Sequence, residues 1–212
     1  MIGAISHDLR TPLARLRLRL EDVGTPSERQ KIMSDVMSMG EMIDSVISFT
    51  REDTRREPRL LVDVGSMIEG ICDDAMEAGQ PVTFSGSRGI ELICRPIALR
   101  RAISNLVENA VRYGGHADVK LTQEAELLVV TIEDEGTGIP PSEREKVFEP
   151  FYRREPSRNR ATGGVGLGLS IARSVIWEHG GDVQLSNRKD GGLHVRIELS
   201  CSEPSAPDRE HR

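Results

Sequence analysis

Between Thr25 and Phe49 the apolar residues Ile32, Val36, Met39, Ile43 and Val46 recur at alternating steps of four and three, the a and d positions of a heptad repeat. Met33, Met42, Ile47 and Phe49 widen that stripe. A similar stripe precedes it at Ile5, Leu9, Leu13, Leu16, Leu20 and Val23. Val23-Gly24-Thr25-Pro26 stops the first helix. Thr25 and Glu28 then form a T-x-x-E capping box, with Pro26 at the first helical position, and start the second. Pro12 removes an amide donor and predicts a bend one turn beyond His7. Two antiparallel helices of this length cannot bury both stripes against each other alone. A second copy does so, as a four-helix bundle across a two-fold axis, and a homodimer is expected; packing on the rest of the same chain is the alternative.

The run Thr50-Arg51-Glu52-Asp53-Thr54-Arg55-Arg56-Glu57-Pro58 has no apolar face and ends in proline, which marks a linker. Beyond it the period changes. Strands are expected at Leu60 to Asp63, Pro81 to Ser85, Ile90 to Cys94, Ala117 to Thr122 and Leu127 to Glu133, with helices at Val64 to Ala78 and Pro96 to Tyr113. The near-continuous apolar run of Leu127 to Glu133 suggests a central strand covered on both faces. From Asp134 to Val165 the chain is rich in Gly, Pro and charge, a loop long enough to be functional. A helix from Gly166 to His179 and a hairpin, Asp182 to Asn187 with Leu193 to Leu199, close an α/β sandwich. The fold class is therefore α+β: a helical hairpin over residues 1–57, an α/β sandwich over 58–201, and a disordered tail over 202–212.

Composition narrows the function. A net charge of −6 leaves no global basic field to draw the chain onto nucleic acid, and 3% aromatic residues provide few base-stacking platforms. Cys72, Cys94 and Cys201 are odd in number and widely spaced, which fits neither a disulfide framework nor a metal pair and reads as reduced thiols of a cytoplasmic protein. No window approaches the roughly 20 apolar residues that span a bilayer.

Four segments carry chemistry. In Ser6-His7-Asp8-Leu9-Arg10-Thr11-Pro12-Leu13, His7 lies off the apolar stripe and should project to solvent, where an imidazole of ordinary pKa, about 6.5, is largely neutral and nucleophilic. Asp8 can orient it or take its proton, and Thr11 lies one turn on, on the same face. On the long helix, Asn105, Asn109 and Arg112 share one face, placing neutral oxygen donors beside a cation, an arrangement suited to magnesium and phosphate. Asp134-Glu135-Gly136-Thr137-Gly138-Ile139-Pro140 follows a buried strand, and an aspartate there can accept from adenine's amino group. Phe148-Glu149-Pro150-Phe151 lies in the loop, and Gly163-Gly164-Val165-Gly166-Leu167-Gly168-Leu169-Ser170 opens a helix whose amides can receive phosphate oxygens. Leu169 replaces the last glycine of G-x-G-x-x-G and no G-K-[ST] occurs, so the Rossmann and P-loop patterns both fail.

S-H-D-L-R-T-P-L resembles the phosphoacceptor box of sensor histidine kinases of the osmosensor type. N-x-x-x-N-A, D-x-G-x-G, F-x-P-F and G-x-G-L-G resemble, in order, the N, G1, F and G2 boxes of their ATP-binding domain. The resemblance runs from Ile2 to about Ser200. It implies a dimerisation and phosphotransfer hairpin followed by a Bergerat-type ATP site of the histidine kinase/gyrase/chaperone kind. His7 would be phosphorylated with help from Asp8, and Thr11 would support dephosphorylation of a response-regulator partner. Asn105 and Asn109 would hold Mg2+, Arg112 would contact phosphate, Tyr113 would pack near the base, and Asp134 would read adenine of ATP beside Gly136, Gly138 and Ile139. Phe148 and Phe151 would anchor the lid, with Gly164, Val165, Gly166, Leu167 and Gly168 at its phosphate-facing end. Family members run further upstream of the histidine than the about 9 Å of helix that Met1 to Ser6 supplies. The expectation is thus a fragment whose full-length form sits in the bacterial inner membrane through missing N-terminal segments. An ATP-gated clamp of the topoisomerase or chaperone type, and an inactive scaffold, are the competing readings.

Overall fold

A computed structural model of the chain describes residues 57–153 and 166–201, together with Thr25, Arg29, Ile32, Met33 and Val36. Arg29, Ile32, Met33 and Val36 are helical, and the Arg29 amide donates to the Thr25 carbonyl at 3.0 Å. The expected hairpin as a unit, its phosphoacceptor residues His7, Asp8 and Thr11, the lid residues Gly164 and Val165, and the tail from residue 202 lie outside the described residues.

Strand β1 (Leu60–Asp63) runs into helix α1 (Val64–Glu77), followed by β2 (Val82–Ser85), β3 (Glu91–Cys94), helix α2 (Pro96–Gly114), β4 (Ala117–Glu124) and β5 (Leu127–Glu133). Among the described residues two short 3₁₀ turns, Pro141–Glu143 and Lys146–Phe148, interrupt the long loop before helix α3 (Gly168–Glu178) and the β6 (Asp182–Asn187) to β7 (Leu193–Ser200) hairpin. β1 and β3 pair antiparallel as a separate ribbon. The main sheet has the order β2-β4-β5-β7-β6, with β2 parallel to β4 and the other pairs antiparallel.

Local chemistry explains the helix ends. Asp63 caps α1 by accepting from the Ser66 amide at 3.1 Å and the Ser66 hydroxyl at 2.7 Å, and these bonds hold its carboxyl below the usual carboxylate range. Pro96 opens α2, but Arg95 before it makes no side-chain cap. The carboxylate of Glu57 does that work from the linker, taking the Ile97 amide at 2.7 Å and the Ala98 amide at 3.0 Å. Gly115 ends α2 in the left-handed region, φ 79°, where a side chain would be strained.

The core forms where alternate residues of the sheet meet one layer of helices. Val119, Leu121, Leu128, Val130, Ile132, Val195 and Ile197 pack with Ile68, Leu99, Ile103, Leu106, Ile171 and Ile176. Expected double coverage of β5 is not what makes its run apolar: β5 is central, but only its Leu128, Val130 and Ile132 face belongs to this core. Val129, buried on the other face, pairs across to Thr122 and Glu198, and Arg196 bridges Glu198 and Glu124 beside it. Long ion-paired side chains therefore line the face that none of the described helices covers.

Candidate nucleotide-binding site

Helix α2 buries Ala98, Leu99, Ala102, Ile103, Leu106, Val107 and Ala110 along one stripe, which leaves Asn105 and Asn109 at its flank, half-buried, and Arg112 and Tyr113 exposed near its end. The flank meets the start of α3. A Cβ built on Gly168 would lie 3.5 Å from Asn109 Nδ2 and 3.8 Å from Asn105 Cβ, and Asn105 Nδ2 stands 3.5 Å from the Gly168 carbonyl. Leu167, before the helix, supplies no side-chain cap, and the first turn holds no acidic residue. Among the described residues nothing caps the opening amides of α3, whose donors and partial positive charge lie beside the two asparagines.

At the other end of α2 the chain holds Asp134, which is buried. Its Oδ1 accepts from the Gly136 amide at 2.8 Å and the Leu193 amide at 3.0 Å; its own amide donates to the Leu193 carbonyl at 3.0 Å, and Arg188 Nη1 donates to its carbonyl at 2.9 Å. Among the described residues no bond reaches Oδ2. Glycines permit this closeness: a Cβ on Gly114 would sit 2.3 Å from Asp134 Cβ, one on Gly136 2.6 Å from the Tyr113 carbonyl, and one on Gly192 1.9 Å from the Asp134 carbonyl. Gly138 turns the loop at φ 66°, and the next amide, of core residue Ile139, donates to Asn187 Oδ1 at 2.8 Å.

The two phenylalanines behave differently. Phe148 is buried, and the Arg173 guanidinium stacks 4.7 Å from its ring centroid and 4.1 Å from that of Trp177 while pairing with Glu145 at 2.8 Å. The Phe151 ring is 58% exposed, so this residue holds the loop through its backbone, at φ 67°, with its amide donating to the Gly166 carbonyl at 2.9 Å. Tyr113 likewise contributes its carbonyl to the Gly136 contact while its ring stands in solvent.

Sequence reading missed Gly114, Asn187, Arg188 and Gly192. The glycine doublets 114–115 and 191–192 were a signal, since one glycine suffices to end a helix or turn a hairpin. Asn187 and Arg188 carry no local signal at all, because their partners Ile139 and Asp134 lie far away in sequence.

Residues 94–203 match the model of the histidine kinase-, DNA gyrase B-, and HSP90-like ATPase family. The chain belongs to this family. Two relatives of this chain are sensor histidine kinases: GtrS of Pseudomonas aeruginosa, 35% identical over 199 residues, covering 94% of this chain and 41% of GtrS, and CpxA of Escherichia coli, 31% identical over 213 residues, covering 94% of this chain and 46% of CpxA. The chain thus spans less than half the length of either. The histidine kinase domain of the Escherichia coli osmosensor EnvZ superposes with a TM-score of 0.54 at 29% identity, covering 73% of this chain and 96% of that domain.

The donors of this ATP-binding fold suit magnesium delivered with phosphate. Among the described residues no group of three or more His, Cys, Asp or Glu can cage a metal. Asn105 and Asn109 offer neutral amide oxygens, the kind of partial shell that Mg2+ completes with water and substrate phosphates.

Proposed function

We propose that this chain is the catalytic part of a sensor histidine kinase, which phosphorylates His7 from Mg·ATP and passes the phosphoryl group to an aspartate on a response-regulator receiver domain. The observation that carries the reading is the placement of two chemistries on α2: asparagines against the start of α3, and Asp134 wedged on Gly114. From Asn105 to Gly114 the helix advances about 13 Å, a span that an extended nucleoside triphosphate can bridge. Asp134 would accept from adenine's amino group, and guanine would present a carbonyl there instead. Arg112 and the α3 amides would offset phosphate charge. Asn105 and Asn109 would hold magnesium, which when bound would offset negative charge on the phosphates.

In the transfer, a ring nitrogen of His7 takes the γ-phosphorus as the bond to the β–γ bridging oxygen breaks, and ADP leaves with that bond's electron pair; Asp8 orients the imidazole. Catalysis is then mainly positioning and electrostatics. The linker from Thr50 to Pro58 would permit the swing that brings the ATP-binding unit to His7. Pairing of hairpins as a homodimer and a Thr11-dependent phosphatase activity belong to the same reading. So does a cytoplasmic location with membrane attachment elsewhere; among the described residues no helix is long and apolar enough to cross a membrane.

The competing clamp has no use for the His7 box, and the likeness to GtrS extends over 94% of the chain, well beyond the family match at 94–203. Incubation with γ-labelled ATP separates the readings. The kinase is expected to take up acid-labile, base-stable label that disappears in His7→Ala and on chelation of magnesium. ATP hydrolysis with no label on the protein would establish the clamp instead, and unchanged regulator dephosphorylation in Thr11→Ala would remove the phosphatase role.

A further inference from the structure

The β6–β7 hairpin reaches the loop after β5 from a part of the chain that none of the nucleotide motifs covers. Asn187, the last residue of β6, is exposed, yet its Oδ1 lies 2.8 Å from the Ile139 amide and 2.7 Å from the point a Cβ on Gly138 would occupy. One residue on, Arg188 turns inward: Nη1 donates to the Asp134 carbonyl at 2.9 Å, and Nε faces Glu133 Oε2 at 3.3 Å. Leu193 of β7 exchanges two more bonds with Asp134, giving its amide to Oδ1 at 3.0 Å and taking the Asp134 amide at 3.0 Å. The hairpin thereby commits the amide, the carbonyl and one carboxylate oxygen of Asp134. The direction of Oδ2, the oxygen with no bond among the described residues, follows from those commitments.

We infer that Asn187 and Arg188 are positioning residues for base selection: without touching nucleotide, they hold the Asp134-to-Ile139 loop so that Oδ2 can favour adenine's amino group and reject guanine's carbonyl. The inference rests on the nucleotide reading proposed above. Selectivity of this kind has two parts, a hydrogen bond gained with the right base and an unpaired, repelling acceptor pair with the wrong one. Both depend on Asp134 staying where it is. A loop that swings freely loses the gain with adenine and relieves the penalty with guanine, so the affinity ratio collapses from both sides. A merely structural defect weakens both nucleotides alike.

The test is equilibrium binding of ADP and GDP to the full chain by calorimetry, in wild type, Asn187→Leu, Asn187→Asp and Arg188→Met. Asn187→Leu keeps the side-chain bulk and loses the acceptor, and the loss of one hydrogen-bond partner should lower the ADP:GDP affinity ratio about five- to ten-fold. Asn187→Asp retains an accepting oxygen and should hold the ratio within about two-fold of wild type. Arg188→Met keeps the stem without the donors and should lower the ratio as Asn187→Leu does. An unchanged ratio in Asn187→Leu and Arg188→Met, with a selective wild type, overturns the inference alone, as does Asn187→Asp falling as far as Asn187→Leu. A wild type that binds neither nucleotide, or both equally, removes the nucleotide reading and this inference together.

Discussion

Substituting alanine at Gly114 and at its neighbour Gly115 separates two reasons for a glycine. Gly114 is helical, so alanine there should gain up to about 1 kcal/mol from propensity alone. Against this, the new Cβ would stand 2.3 Å from Asp134 Cβ, 2.6 Å from its Cγ and 2.8 Å from Oδ1. Carbon atoms settle at about 3.5–4.0 Å, so the helix end and Asp134 must part by roughly 1.2–1.7 Å. Overpacking of this sort costs about 1–3 kcal/mol, leaving a net destabilisation of about 0–2 kcal/mol. A shift above 1 Å also displaces Oδ2, the oxygen proposed to accept from adenine's amino group, from its place. Losing a hydrogen bond to a charged group, about 1.5–3 kcal/mol, should weaken ADP binding about ten- to hundred-fold. Gly115 is the opposite case, with φ 79° and nothing within 4 Å of its added Cβ. Alanine there should lower stability by about 1 kcal/mol, a melting shift of about 2–4 °C for a chain of this size, with little change in ADP affinity. Thermal melts and calorimetry with ADP on the full chain read both quantities. A Gly114→Ala protein that melts at or above wild type and binds ADP equally well would refute the steric argument.

Asp134→Ala should abolish measurable ADP binding and, by leaving the Gly136 and Leu193 amides without their acceptor, lower stability by about 1–3 kcal/mol per amide that water does not reach, as read from a denaturant melt. Glu57→Ala should cost about 0.5–2 kcal/mol by uncapping α2, and Glu57→Gln should recover part of it because one amide oxygen still accepts; a melt unchanged in Glu57→Ala would show the cap to be idle. His179 is buried, with Nδ1 2.7 Å from the Val175 carbonyl and Nε2 accepting the Arg95 amide at 2.9 Å, so the bonds require the neutral ring protonated at Nδ1. Burial, ahead of the nearby charges, pushes its pKa below the ordinary value of about 6.5. The unfolded chain therefore takes up that proton first: stability is full above about pH 6.5 and falls as pH drops through the lowered folded pKa. Melts between pH 7.5 and 5 should show this decline flattened in His179→Gln, and an equally steep decline in the variant would assign it to other groups.

Much of the ATP-binding unit was legible because its signals are local. Pro96 marked the start of α2, and the observed bounds of β1, β5 and β6 coincide with those read from the residues. At β5 the described residues show helix cover on one face only, while Val129 is buried on the other beside Arg196, Glu198 and Glu124. Periodicity reports burial and not what does the burying. The role of Phe151 was equally opaque, since F-x-P-F does not say which ring points inward and which residue holds by its amide.

By itself the sequence determined the order of elements, the α2 face carrying Asn105 and Asn109, and the aspartate at the end of β5, because each depends on contacts within a few residues along one helix or strand. Only the tertiary structure decided that Gly168 abuts those asparagines, that Gly114 and Gly192 close on Asp134, and that Asn187 and Arg188 brace its loop. Those approaches join segments tens of residues apart, and their ångström-scale distances are set by how three helices settle on one sheet, a property of the packed whole that no window of residues contains.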